Sequence, residues 1–267
     1  MRLLVRSWNV FHGNAQAPER TAYLEEMVRL GTADGPDVVC LQEVPVWALE
    51  RLGGWSGMTA VGDVAERPSL GPLAIPAELG RRLTELHHGL LRSAFAGQAN
   101  AILLRAALRV LERQVLVLNP PSFRKVKARE LALDRISRLA WARERRICQA
   151  VRIAEGDGVA VVANLHATSS SDLRIPDAEL LRAATFVDAL ARPDETVVLA
   201  GDFNVRPEAS STLAELREWG FSDAGPGIDH VLVRGAAATP HTVWEEERRS
   251  LDGRLLSDHA PVEVLVS

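Results

Sequence analysis

A layered α/β fold is what this sequence predicts. Three observations point to it: many short Val- and Ile-rich runs of strand length, a few amphipathic helical stretches between them, and polar residues gathered where the apolar runs stop. The runs at residues 3–10, 37–41, 101–104, 115–118, 147–153, 159–165, 196–200, 230–233 and 261–266 are bounded by Gly, Pro or Asp. Their length and their boundaries favour buried strands over helices. In the first run apolar and polar residues alternate before Asn9. A helix is expected over residues 19–30, where Tyr23, Met27 and Leu30 share one side with Leu24 and Val28 beside them. A second covers residues 176–190 and opens with Pro-Asp-Ala-Glu; proline needs no donor in a first turn, and acids suit the positive end of a helix. A shorter one is expected over residues 213–219. Periodicity alone leaves two arrangements open, a doubly wound parallel sheet or two sheets packed face to face with helices outside.

Residues 1–267 show no repeat and no low-complexity linker, so one domain is expected. With 47% hydrophobic and 25% charged residues the chain can bury a large core without disulfides or a structural metal. Cys40 and Cys148 lie inside the apolar runs VVCLQEV and RRICQAVRI, and two buried thiols are preferred over a disulfide. No segment approaches the ~18 consecutive apolar residues of a membrane helix. The basic-then-apolar N-terminus is too short for a signal peptide and is read as a first strand, which makes a cytoplasmic, reduced protein the expectation, with a monomer as default. The net charge of -4 argues against a generally basic nucleic-acid binder. A local exception is residues 124–146, where Arg124, Lys125, Lys127, Arg129, Arg135, Arg138, Arg143, Arg145 and Arg146 face only Glu130, Asp134 and Glu144. Such a stretch attracts a polyanion or forms a solvated helix face.

Five patches place acids, amides or histidines directly after apolar strands. They are Trp8-Asn9, Gln42-Glu43, Asn164-Leu165-His166, Gly201-Asp202-Phe203-Asn204, and the closing pair Asp229-His230 and Ser257-Asp258-His259. Strand-end carboxylates and amides converge on one rim of a sheet, and hard oxygen donors suit Mg²⁺, which keeps waters and takes substrate phosphate as a further ligand. LQEV, GDFN and SDHAPVEV, in that order, closely resemble the endonuclease/exonuclease/phosphatase superfamily, which includes deoxyribonuclease I-like nucleases, abasic-site endonucleases and inositol phosphatases. The resemblance runs from Ser7 to Val264. It implies a four-layered α/β-sandwich, two mixed β-sheets packed face to face with helices outside. It also implies a hydrolase of phosphate esters that uses Mg²⁺, with Mn²⁺ able to substitute.

By the same resemblance Glu43 is the metal-binding glutamate, Asn9 helps to orient the metal site or the phosphate, and Asp258 is an acid near the metal. Asp202 and Asn204 position the attacking water or the phosphate. Asp229 fixes the tautomer of His259, which acts as base or as charged stabiliser. His166 contacts a phosphate oxygen or the leaving side. Asn164 and Thr168 alternate with it and are expected at the same rim; Asn164, with Asn100 in GQANAILL, is a phosphate-side candidate. His12, His87, His88 and His241 match no motif and read as surface or local hydrogen-bonding residues, and His230 is left out of catalysis.

Two departures bear on substrate. Glu43 is followed by Val44-Pro45-Val46-Trp47 rather than by a basic residue, and the only tyrosine, Tyr23, sits in the first helix as a packing residue. Both weaken assignment to the abasic-site or deoxyribonuclease I branches. Residues 68–91 and 124–146 fall where substrate-contacting segments vary in the superfamily, and Trp141 either stacks on a base or fills a helix core. The leading reading is a phosphodiesterase acting on nucleic acid or a nucleotide-like diester. Its runner-up is a phosphomonoesterase or small-molecule phosphoesterase acting on inositol phosphates or lipid head groups. A non-catalytic binding scaffold is the third, and it predicts loss of a core residue; Glu43, Asp202, Asn204, Asp229, Asp258 and His259 are all present.

Overall fold

The computed structural model describes residues 1–17, 21–70, 73–86 and 95–267. Its two large sheets contain β1 (Leu3–Asn9), β2 (Val38–Val44), β3 (Thr59–Glu66), β4 (Gln98–Leu104), β5 (Arg109–Val117), β6 (Ile147–Glu155), β7 (Gly158–His166), β8 (Thr196–Asp202), β9 (Asp229–Arg234), β10 (Thr242–Val243) and β11 (Val262–Val266). One sheet runs β10-β11-β1-β2-β4-β3 and the other β9-β8-β7-β6-β5. Each holds one parallel pair near its middle, β1 with β2 and β7 with β8, while the other pairings are antiparallel. In register, Asn9 stands beside Gln42 and His166 beside Asp202. Parallel neighbours end at the same edge, and their antiparallel neighbours begin there. One rim therefore gathers the ends of β1, β2, β3, β7 and β8 and the starts of β4, β6 and β9.

The sheets face each other across an apolar layer that includes Leu3, Val5, Cys40 and Ile102 from one and Val151, Val162, Val198 and Val231 from the other. The alternation of strand side chains turns the next residues outward. Trp8, Leu41 and Leu103 meet Met27 and Val28 of α1 (Leu24–Thr32). Leu165 and Leu199 meet Leu180 and Val187 of a long helix (Arg174–Leu190) and Leu216 of a shorter one (Ser211–Glu218). The result is the expected stack of helix, sheet, sheet and helix, with each large aliphatic side chain contributing roughly 1.5–3 kcal/mol by burial.

Most strands extend beyond their apolar runs, and β3 was not visible as one. Gly62 and Asp63 interrupt its pattern, and it is an edge strand whose one strand neighbour among the described residues is β4. Residues 68–91, expected among the variable substrate-contacting segments, include a helix (Ala77–Leu86), while His87 and His88 lie outside the described residues. The arginine-rich stretch forms two helices, Pro121–Glu130 and Arg135–Trp141, the second capped by Asp134, which accepts from the Ser137 N–H. Trp141 is buried and donates to Glu179, so it belongs to the core rather than to a base-stacking surface. Tyr23 packs against the α1 side of the core, and both cysteines are buried and free. Among the described residues no helix is long and apolar enough to cross a membrane.

Candidate active site

The site lies at the mouth of the seam between the two sheets. Asn9, Asp202, His166 and Asp229 occupy strand positions in phase with the inward-facing apolar residues, so at the rim they point into the seam. Glu43 is out of phase. A register shift between Leu41 and Val44 of β2 forms a bulge, and with φ 54° Glu43 is swung back to the rim. Asn204 (φ 52°) and Ser257 (φ 60°) also adopt the left-handed region that non-glycine residues avoid. Such backbone persists where surrounding bonds enforce it. The Asp202 carboxylate accepts from the Asn204 N–H, and the Ser257 hydroxyl donates to the Asn9 carbonyl while accepting from the His259 N–H. Gly201 is required beside them: at φ 143° a Cβ would stand 1.9 Å from the Leu165 carbonyl oxygen.

Acids from both sheets meet across Asn9. Its Nδ2 donates to Asp202 Oδ2 at 3.0 Å and to Glu43 Oε1 at 3.2 Å, while its Oδ1 accepts from the Phe11 N–H. As placed, Asn9 bridges the two acids through its amide nitrogen. His166 Nε2 is 3.5 Å from Asp202 Oδ2 and 3.8 Å from Glu43 Oε1. His259 donates from Nδ1 to Asp229 Oδ2 at 2.7 Å, leaving Nε2 3.8 Å from Asp202 Oδ2. Asn204 donates from Nδ2 to the Ala167 carbonyl, tying the GDFN turn to the strand end that carries His166. Asp258 is exposed at the lip.

The electrostatics follow from crowding in a dry place. Burial and the neighbouring Asp229 push the Asp202 carboxyl up to about 7. Burial also raises Glu43, but His12, His166 and Arg146 outweigh it and hold that carboxyl well below the usual range. Burial opposes a charged His259, yet Asp229, Asp202 and Asp258 carry it up to about 10. Burial and Arg146 drive His166 well below its ordinary value. Partial loss of water at the lip raises Asp258.

Asn164 and Asn100 are not at the open face. Asn164 is fully buried, donates to the Leu41 and Ala101 carbonyls and accepts from Gln42 Nε2 at 2.7 Å. Asn100 donates to the Ile147 and Asn164 carbonyls. Each sits two residues inward from a rim residue, His166 or Gln98, a depth of about 7 Å at ~3.3 Å per residue. Together with Gln42 they tie the sheets beneath the site, so the expected phosphate contact is corrected to a structural brace. Thr168 is likewise buried, bonded to Glu179.

Two residues that the sequence patterns did not single out belong to the site. His12 is buried and its Nδ1 lies 2.8 Å from Glu43 Oε2, correcting its reading as a surface or local residue. It sits in a short 3-10 turn after β1, and that turn returns it to the glutamate. Arg146, also buried, brings Nη1 to 2.8 Å from His166 Nδ1 and donates to Gln98. His230 is buried away from the chemistry, donating to the Val205 carbonyl beside Phe203, and His241 accepts from the Val231 N–H.

The donor set suits a divalent cation. Asp202, Asp229 and His259 each offer a ligand atom, all within 4.8 Å of one another. Asp229 Oδ1 is buried without a hydrogen-bond partner, and Asp202 and Glu43 converge on one amide. Unpaired buried carboxylate oxygens are costly unless a cation or donor arrives.

Endonuclease/exonuclease/phosphatase proteins share this arrangement of sheets. The family's sequence profile matches residues 7–259, and the chain belongs to that family, whose fold hydrolyses phosphoester bonds. A family protein from Bacteroides vulgatus superposes with a TM-score of 0.70 at 16% identity, covering 100% of this chain and 99% of its own. A mannosyl-6-phosphatase from Bacteroides thetaiotaomicron gives 0.67 at 17% identity and 99% coverage of both chains. TDP2 from Caenorhabditis elegans gives 0.61 at 15%, covering 100% of this chain and 74% of that one. No curated protein matches the sequence significantly.

Proposed function

We propose that the chain is a Mg²⁺-dependent phosphodiesterase acting on nucleic acid or a nucleotide-like diester. The observation that carries this reading is the seam itself, where Glu43 and Asp202 from opposite sheets meet on Asn9 beside a His259–Asp229 pair, with the Arg146 guanidinium fixed on the His166 side. Glu43 and Asp202 would hold the cation. A bound Mg²⁺ supplies Lewis-acid withdrawal of charge from the phosphate oxygens. Asp202, held by Asn9 and the Asn204 N–H, orients the attacking water. His259 keeps its Nδ1 proton on Asp229 and presents Nε2 to the phosphate. Arg146 and His166 flank the same phosphate. Hydrolysis adds water across one P–O bond, and the released alkoxide takes a proton.

The diester reading draws its support from charge at the rim. Arg145 donates to the Val64 and Ala65 carbonyls at the end of β3, which leave its positive charge uncancelled. The likeness to a mannosyl-6-phosphatase over 99% of both chains favours a phosphomonoesterase as the second reading. The deciding experiment assays purified protein and its His259→Ala variant with Mg²⁺ on DNA, RNA, an aryl phosphodiester, an inositol polyphosphate and mannose 6-phosphate. Diester cleavage that vanishes with the variant and with chelator supports the proposal. Activity confined to monoesters replaces it with the second reading.

A further inference from the structure

Beside the candidate site the rim opens into a cleft of about 620 Å³ that no catalytic residue lines. Its walls are the end of β3, including Glu66 and Arg67, and the turn after the Arg135–Trp141 helix, including Arg143 and Arg145. The sheet register places this cleft next to the site. Glu66 is paired with Gln98, Gln98 accepts from Arg146, and Arg146 contacts His166. β3 stands two strands from β2 and its Glu43, about 10 Å at ~4.8 Å per strand.

We propose that this cleft binds a second phosphate group of the substrate, one that is held but not cut. Arg145 is pinned with Nη1 donating to the Val64 and Ala65 carbonyls, so it keeps its charge and is fixed in place. Arg67 and Arg143 are exposed, and their side chains make no hydrogen bond or ion pair among the described residues. Three guanidiniums thus line one concavity, two of them with free forks, and a guanidinium fork matches phosphate oxygens in pairs. Glu66 is the acid among the lining residues, and burial and Glu144 raise its carboxyl. The rest of the arginine-rich stretch differs. Lys127 pairs with Glu130 and Arg138 donates to the Leu133 carbonyl, while Arg129 and Arg135 are exposed on helices away from the lining.

This inference deepens the phosphoester reading above and rests on it for the word substrate, but the cleft is testable without turnover. Isothermal titration of inorganic tripolyphosphate, with chelator present to strip divalent cations, reads the cleft directly. Wild-type protein binds, the Arg67→Ala/Arg143→Ala variant binds at least tenfold more weakly, and the charge-matched Arg129→Ala/Arg135→Ala variant changes less than twofold. No binding by the wild type, or equal weakening by the two variants, overturns the proposal. With Mg²⁺, the KM for a dithymidine bearing a terminal phosphate rises about tenfold in Arg67→Ala/Arg143→Ala at unchanged kcat, while the KM for bis(p-nitrophenyl) phosphate does not move. A rise for both substrates, or for neither, also overturns it. Absence of turnover on every phosphoester sinks the phosphoester reading instead, and the titration still decides whether the cleft holds phosphate.

Discussion

The two ends of the sandwich treat their acids in opposite ways. At the end away from the site, Asp37 is closed off on both sides: it accepts from the Leu4 N–H and from Arg105, whose other arm reaches Glu155. Arg152 similarly joins Glu112 and Glu195. Each of these four carboxylates meets a guanidinium, and the pairing is complete although the acids outnumber the arginines. At the rim, Asp202, Asp229 and Glu43 meet histidines and an amide, with Arg146 to one side and an oxygen of Asp229 left unpaired. The first arrangement spends its charge on the fold. The second holds it for a ligand, at a cost in stability common to working sites.

The largest test of this contrast is Asp229→Asn. Loss of the correct tautomer in comparable pairs lowers turnover up to ~10⁴-fold. Turnover should fall by that order while Mg²⁺ affinity, read by titration, stays nearly intact; an equal fall in both would make Asp229 a ligand. Next comes Asp202→Asn, expected to cost at least about 10²-fold in activity. Because burial and Asp229 already oppose the charge of Asp202, the same change should raise the metal-free melting temperature. Added Mg²⁺ should then stabilise the wild type and not the variant, as differential scanning fluorimetry would show.

At the complete end the signs reverse. Arg105→Ala should lower stability by about 1–2 kcal/mol in urea while kcat/KM per folded molecule is unchanged. A loss of activity without a loss of stability would break the contrast. The smallest effect is one of pH. Burial and His230 hold His241 down to about 4, and its ring accepts from the Val231 N–H, so it folds neutral. Its contribution is complete above an unfolded value of about 6.5 and is lost as pH falls from there towards 4, within about 1 kcal/mol after solvent screening. Melting curves from pH 7 to pH 4 should slope less in His241→Gln.

Much of the rim was legible because strand alternation is rigid. Asp202 and His166 end apolar runs and Asp229 opens one, all in phase, so pattern alone aims them inward. The same alternation misplaced Asn164 and Asn100, since it fixes the face and not the depth, and two residues separate a rim from a buried brace. Glu43 needed its bulge, which leaves no periodic mark. His12 is carried back by a turn with left-handed residues at Phe11 and His12, and nothing in its spacing announces that return. Arg146 read as one of nine similar charges, because helix-surface and rim arginines look alike until β6 starts beside one of them.

The cross-sheet amide layer has a mechanical meaning. Asn164 holds Leu41, Ala101 and Gln42 of the other sheet, just beneath the acids that must meet on Asn9. Slippage of one sheet past the other by a fraction of a residue would part Glu43 from Asp202 while leaving both hydrogen-bonded ladders whole. Inactivation under pressure or mild denaturant should therefore precede melting, with the seam failing as a hinge fails while both leaves stay intact.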